Sequence, residues 1–205
     1  MRADSPWRRP DGHERRGLGT RRRIYEAALE EFRRVGFEAA SISRITRRAG
    51  VSRPSFYFHF PTKQHVLLDL QWELEHEVAG RIAGVAVPGR ALHAFVDELV
   101  EVEDRIGRGG LFRDLLQTWV RPPEAVDGTG HELPVVEEVR ARFEQAAAVG
   151  ALRAGVPPQR AALLFLTGVF GYLLGMSGEA CEERENLHAL VDLYVRRDEP
   201  AAAPG

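Results

Sequence analysis

A chain of 205 residues with 44% hydrophobic side chains can bury a core, either as one large domain or as a small domain joined to a larger one. Its formal net charge of -2 hides a polarity: residues 1–63 carry 15 basic and 7 acidic side chains, a net of +8, and the remainder a net of -10. A single cysteine, Cys181, excludes an intrachain disulfide framework and fits a reducing cytoplasm.

Residues 1–18, rich in Arg, Pro, Gly and Asp, show no hydrophobic periodicity and are expected to form a flexible basic arm. No apolar run follows these arginines, so no signal peptide is expected. From Thr20 the periodicity of Ile24, Ala27, Ala28, Phe32 and Val35 predicts a helix that stops at Gly36, and Phe37 returns the chain to the core. A shorter pattern over Ser43–Ala49, with Ile42, Ile45 and Ala49 inward, ends at Gly50. Ser52 is placed to cap a third helix whose first turn holds Arg53 and Pro54, where proline is tolerated because first-turn amides lack helical partners. That helix ends near Phe60-Pro61. Thr62 then opens a long fourth helix through Leu67, Leu70, Leu74 and Val78 toward Gly84.

Helical segments continue between Pro88-Gly89, Gly107 to Gly110, Pro122-Pro123 with Gly128 and Gly130, Pro157-Pro158 and Gly178, and no useful stretch alternates with period two. The longest apolar stretch, Ala161 to Met176, is too short for a membrane span. The expectation is an all-α, soluble, cytoplasmic protein without a membrane partner. Its three-helix front domain, 19–63, is continuous with a larger helical domain, 64–198, and 199–205 form a flexible tail.

Two short helices joined by a tight glycine turn are the pattern of a helix-turn-helix. Gly50 sits where the chain reverses and positive φ is favoured. In Arg53-Pro54-Ser55-Phe56-Tyr57-Phe58-His59-Phe60, Phe56 and Phe60 are expected inward, and Arg53, Ser55, Tyr57 and His59 outward. So short a recognition helix must read DNA mainly with its first turn.

The run from Arg21 to Leu70, with Gly36-Phe37, Ser41-Ile42-Ser43, Ile45, Ala49-Gly50-Val51-Ser52, Phe56-Tyr57-Phe58-His59-Phe60 and Lys63, resembles the TetR family. Thr46 departs from the alanine more usual after the isoleucine. The resemblance implies a double-stranded DNA partner. Ser41 would then cap the second helix and meet a phosphate, with Ser43 reaching the groove. Arg53 would contact guanine, and Pro54 and Ser55 would supply an apolar and a small polar contact. Tyr57, His59 and Lys63 would hold phosphates. Arg44 and Arg47 are further candidates, each also readable as a solvated surface charge. Arg15-Arg16 and Arg21-Arg22-Arg23 are candidates for the minor groove or phosphates, or else solubilise the arm. Arginine predominates, Lys63 being the only lysine, as a GC-rich genome would produce.

One such module covers too little DNA for specificity, so a homodimer on a palindromic operator is expected. In the helix after Pro158, Ala161, Leu164, Gly168, Gly171, Gly175 and Gly178 form a stripe of mostly small residues. With Leu187, Leu190, Val191 and Tyr194 of the last helix, this stripe is expected to build the dimer interface. The competing reading is an internal packing groove or ligand tunnel.

Trp72, Phe95, Phe112, Trp119, Phe143, Phe165, Phe170 and Met176 read individually as ordinary core. The family resemblance implies that some line an apolar pocket for a small hydrophobic or aromatic effector. The wording of the third helix also resembles the subgroup containing the ethionamide-resistance repressor, whose pocket is elongated and apolar. The combined expectation is a ligand-responsive repressor.

An architectural DNA-coating protein is the alternative, and a helical enzyme a more distant one. No phosphate loop, Ser-His-Asp order or paired-histidine motif stands out, so no catalytic residue, cofactor or metal is assigned. Cys181 and His188, seven apart, do not by themselves make a zinc site. His76, His93 and His131 are scattered.

Overall fold

The computed structural model describes residues 14–107, 110–120, 133–153, 155–175 and 180–196, with the side chains of all except 14–18, 119, 120, 180 and 181. The helices are α1 (Glu14–Val35), α2 (Ile42–Ala49), α3 (Arg53–His59), α4 (Lys63–Ala83) and α5 (Pro88–Ile106), followed by α6 (Leu111–Val120), α7 (Pro134–Ala148), α8 (Pro158–Gly175) and α9 (Ala180–Tyr194). Among the described residues the fold is all-α, and the only β feature is an isolated bridge between Leu152 and Val195. No described helix is long and apolar enough to cross a membrane.

The first helix begins earlier than the apolar periodicity suggests. It starts at Glu14, inside the segment expected to be an arm, and carries Gly17 and Gly19 within it. Gly36 closes it at φ +79, a left-handed conformation that glycine adopts without a Cβ penalty. The rest of the arm, residues 1–13, lies outside the described residues, as do Met176, Gly178 and the tail 199–205.

The described residues divide into two compact units, the first within 14–74 and 106–119, the second within 75–105 and 120–196. The front unit is thus larger than the expected 19–63, because it also takes the first half of α4 and nearly all of α6. Polar contacts explain this. Asp114 of α6 accepts the Phe37 amide at 3.0 Å, and the Thr118 hydroxyl donates to Gln71 of α4 at 2.6 Å. In this unit α1 packs on α2 and α3 around the fully buried Ile24, Ala28, Phe32, Ile45, Phe56 and Phe60.

In the second unit α8 packs on α7 and α9. Phe95, Phe143 and Phe165 are fully buried there. The Phe143 and Phe165 rings lie 5.5 Å apart, and Tyr194 meets both edge-on at 6.0 and 6.3 Å. The last carbonyls of a helix lack intrahelical partners, and Arg142 of α7 binds the final carbonyl of α4 and one just beyond it. Its guanidinium donates to Ala83 O at 3.0 Å, to Val85 O at 2.9 Å and to Glu138 at 2.7 Å.

Because the Arg142 side chain is only 8% exposed, Arg142→Met strands two carbonyls and a carboxylate. A loss of roughly 3 kcal/mol is expected, as for other broken buried pairs. Urea unfolding of the variant measures it, and a loss below about 1 kcal/mol would remove Arg142 as the anchor of this helix end.

Candidate nucleic-acid interface

The α2–turn–α3 segment is set by its backbone before any side chain is considered. Gly50 ends α2 at φ 65, ψ 40, with its amide directed back to Arg47 O at 3.3 Å, and Val51 N–H bonds Thr46 O at 3.0 Å. Two residues later Ser52, in an extended conformation, accepts the Ser55 amide on its hydroxyl at 3.3 Å. The cap and Pro54 in the first turn start α3 where the sequence places it.

With only seven residues, α3 depends on its neighbours to stay folded. Phe56 and Phe60 are fully buried, with ring centroids 6.1 Å apart. Arg21 of α1 covers the Phe60 ring at 4.0 Å, donates to the His59 carbonyl at 2.5 Å and pairs with Asp69 of α4. Arg21 therefore serves the interior, which withdraws it from the candidate groove contacts of the arm. Its neighbour Arg22 pairs with Glu26 at 2.7 Å.

The opposite face of α3 is open. Arg53 and Pro54 are exposed, as are Tyr57 (46%) and Phe58 (59%), while Ser55 and His59 are half-buried. Ser43 is exposed on the first turn of α2. Ser41 occupies the N-cap position with extended backbone but makes no side-chain capping bond. Lys63 has a second occupation: its ammonium donates to Phe37 O at 2.7 Å and Glu38 O at 2.8 Å and sits 4.6 Å above the Phe37 ring. Two of its three N–H groups are thereby used within the unit.

Behind α2 lies a carboxylate that no motif announced. Glu31 of α1, nearly buried, accepts Arg44 Nε at 2.5 Å, Arg34 at 3.0 Å and the Ser41 amide at 3.5 Å. Burial alone would push its carboxyl up, but the bonds from Arg44, Arg34 and the Ser41 amide together hold it below the usual carboxylate range. Beside it Glu30 pairs with Arg48. The sequence signal was Glu31's position: it stands three residues after Ala28 and seven after Ile24, on the apolar stripe of α1. In Asp114 burial dominates and raises the carboxyl, with the Phe37 amide opposing.

The other expected site residues divide between the units. Trp72 is half-buried and Phe112 buried in the first, and the Trp119 side chain lies outside the described set. In the second unit Phe95 and Phe143 are fully buried against neighbouring rings and act as core, whereas Phe170 is half-buried.

Two residues expected at a dimer interface are also internal. Leu187 is fully buried within its unit, and Tyr194 is half-buried against Phe143 and Phe165. Gly168 faces α9, where an added Cβ would meet Leu190 at 3.0 Å. Leu164, Gly171 and Gly175 are exposed.

A glycine-turned helix pair, buried on one side and basic and aromatic on the other, has the geometry of a helix-turn-helix. Residues 24–70 match the family described as bacterial regulatory proteins, tetR family. The uncharacterized HTH-type transcriptional regulator YdgC of Bacillus subtilis is 38% identical over 55 residues, 27% of this chain and 28% of that protein. The HTH-type transcriptional repressor AcnR of Corynebacterium efficiens is 26% identical over 182 residues, 88% of this chain and 94% of that one. Among solved structures, the TetR-family repressor FadR of Thermus thermophilus, in complex with lauroyl-CoA, aligns with a TM-score of 0.61 at 25% identity, covering 90% of this chain and 99% of its own. Residues 24–70 thus carry a helix-turn-helix of the tetR type, and the proteins that the chain resembles over most of its length are transcriptional regulators.

Because its carboxyl is lowered in the folded state, Glu31 contributes stability above the ordinary carboxylate range and loses it as pH falls through the lowered value. Glu31→Gln lacks this component at every pH. Its deficit in urea midpoint relative to the parent should therefore be largest near neutrality and shrink on acidification to about pH 3. A deficit independent of pH would contradict the ionised cluster.

Proposed function

We propose that the protein is a transcriptional repressor that binds a near-palindromic operator as a homodimer and is released by a small apolar or aromatic molecule. The observation that carries this reading is the capped α3, which turns Arg53, Pro54 and Tyr57 outward while Phe56 and Phe60 lock it from behind. Arg53 at the first turn is placed for bidentate donation to guanine O6 and N7. Ser43, Tyr57, His59 and the remaining donor of Lys63 set register on phosphates, with Ser41 at the α2 terminus and Pro54 and Ser55 beside Arg53. Likeness to a repressor, AcnR, favours repression, and likeness to FadR, solved with an acyl-CoA, favours an apolar effector.

The dimer would form through α8 and α9. Leu164, Thr167, Gly171 and Gly175 follow one another at three- and four-residue steps along α8 with Leu163 (64% exposed) beside them, and Ala189 and Leu193 (68% exposed) stand four apart on α9. An added Cβ at Gly171 or Gly175 meets nothing within 4 Å, so this face is open to the close approach of a second copy. Of the aromatic residues expected to line a pocket, Phe170 is the one in the second unit that is not fully buried, and it would face the ligand. The helix α4 contributes residues to both units and is the covalent route for a signal. An effector that prefers the DNA-incompetent arrangement a hundredfold shifts the balance by about 2.7 kcal/mol.

Fluorescence anisotropy against a duplex from immediately upstream of its own gene tests the reading, with a shuffled duplex as control. Nanomolar binding that prefers the native duplex about a thousandfold is expected. With roughly eight phosphates neutralised per dimer, affinity should weaken by about four decades between 50 and 200 mM salt. Equal affinity for both duplexes would favour an architectural role, and no binding at low salt would refute the interface.

Leu193→Glu places a charge on the proposed seam. Sedimentation should show a lower dimer fraction, with operator affinity falling in parallel. An unchanged dimer would move the seam elsewhere.

A further inference from the structure

Four arginines crowd the helix-turn-helix, Arg44, Arg47 and Arg48 on α2 and Arg53 on α3, and sequence position alone does not separate them. Ion pairing does. Arg44 is bound to the buried Glu31 through Nε at 2.5 Å, and Arg48 is paired with Glu30, so both are turned toward α1. Their i, i+4 spacing places them on one face of α2. Arg47 stands four residues after Ser43 and shares its face with that exposed serine. Among the described residues no carboxylate pairs with Arg47 or Arg53, and both side chains are exposed. Gly50 also turns its amide back to the Arg47 carbonyl, which fixes the Arg47 backbone at the entry to the turn.

We infer that Arg47 is a phosphate-binding residue of the interface, whereas Arg44 and Arg48 are positioning residues that hold α2 on α1 and contribute nothing to counterion release. This rests on the DNA-binding reading above and refines it. A guanidinium bridged to a carboxylate is held toward it with its charge largely neutralised there, so a phosphate gains little from it. An unpaired guanidinium gains the whole contact and releases the counterions held by that phosphate. Arg53, unpaired as well but at the first turn of α3, reads a base, so its loss affects sequence preference first.

The experiment compares Arg44→Gln, Arg47→Gln, Arg48→Gln and Arg53→Gln by anisotropy over a salt series, using the upstream duplex and its shuffled counterpart, with thermal melting alongside. Two copies per dimer and a slope of about 0.9 per phosphate imply that Arg47→Gln flattens the plot of log affinity against log salt by roughly 1.8. Its affinity should drop about tenfold or more on both duplexes, with the melting temperature unchanged. Arg48→Gln should leave the slope at the parental value. Arg44→Gln should keep the slope but melt earlier, because Glu31 loses its nearest partner. Arg53→Gln should lower the ratio between native and shuffled duplexes.

A parental slope for Arg47→Gln, or an equal flattening for Arg48→Gln, would overturn the assignment. Arg48 is exposed, so this comparison stands even where the Arg44 variant folds poorly. Absence of binding by the parental protein to either duplex would instead refute the DNA-binding reading itself.

Discussion

The helix-turn-helix of this chain hangs on a carboxylate that is not part of it. The second helix has no acidic residue in its first turn, and its N-cap serine makes no capping bond. An uncompensated helix N-terminus is a concentration of unsatisfied amides and partial positive charge. Glu31, one helix back, supplies the missing negative charge, takes the Ser41 amide and binds Arg44 one turn into α2. Its burial is tolerable because its oxygens are occupied by two guanidiniums and an amide; stripped of them it would be a desolvated anion. The position of α2 on α1 follows from that cluster, and the position of α3 follows from α2 through the rigid Gly50 turn.

The third helix shows the same dependence at its other end. Two turns of helix have no independent stability in water, and here the stabilising groups come from three directions. Ser52 caps the start, the Phe56 and Phe60 rings sink into the unit, and Arg21 caps the finish by binding the His59 carbonyl while lying over Phe60. Everything that makes α3 stable lies on one face or at its termini. The outward face is left free of structural duty, which is why it can carry Arg53, Tyr57 and Phe58 at the surface. Lys63 and Asp114 extend the arrangement to the α1–α2 connection: the ammonium binds the Phe37 and Glu38 carbonyls, and the carboxylate takes the Phe37 amide.

What could be read from the residues divides along physical lines. Local chemistry was legible: the Gly36 and Gly50 stops, the Ser52 cap, the first-turn Pro54 and the inward Phe56 and Phe60 are all decided within a few residues of chain. The helical class was legible for the same reason. Long-range pairing was not. Nothing near Arg21 in sequence tells that its partners stand 38 and 48 residues away, or that Lys63 has carbonyls to bind before it meets any phosphate. The boundary after residue 63 was likewise a statement about local punctuation, whereas α6 joins the front unit through contacts spanning 77 and 47 residues. Glu31 lay between these cases: its place on the apolar stripe marked it as buried, but its partners could not be named.

The glycine stripe of α8 illustrates why composition on a helix face underdetermines its use. Gly168 is small because α9 comes close, and Leu190 would be pressed by a Cβ there; Gly171 and Gly175 have open space beside them. One periodic pattern therefore has two environments, one closed by α9 and one open. The same holds for charge. Residues 1–63 carry a net of +8, yet Arg21, Arg34, Arg44 and Arg48 are each bound to a carboxylate of the same unit. Such pairs cancel at the distance of a groove contact but keep the sum unchanged at longer range. The net charge can thus steer the protein toward a polyanion, while only the unpaired cations decide how many phosphates it holds on arrival.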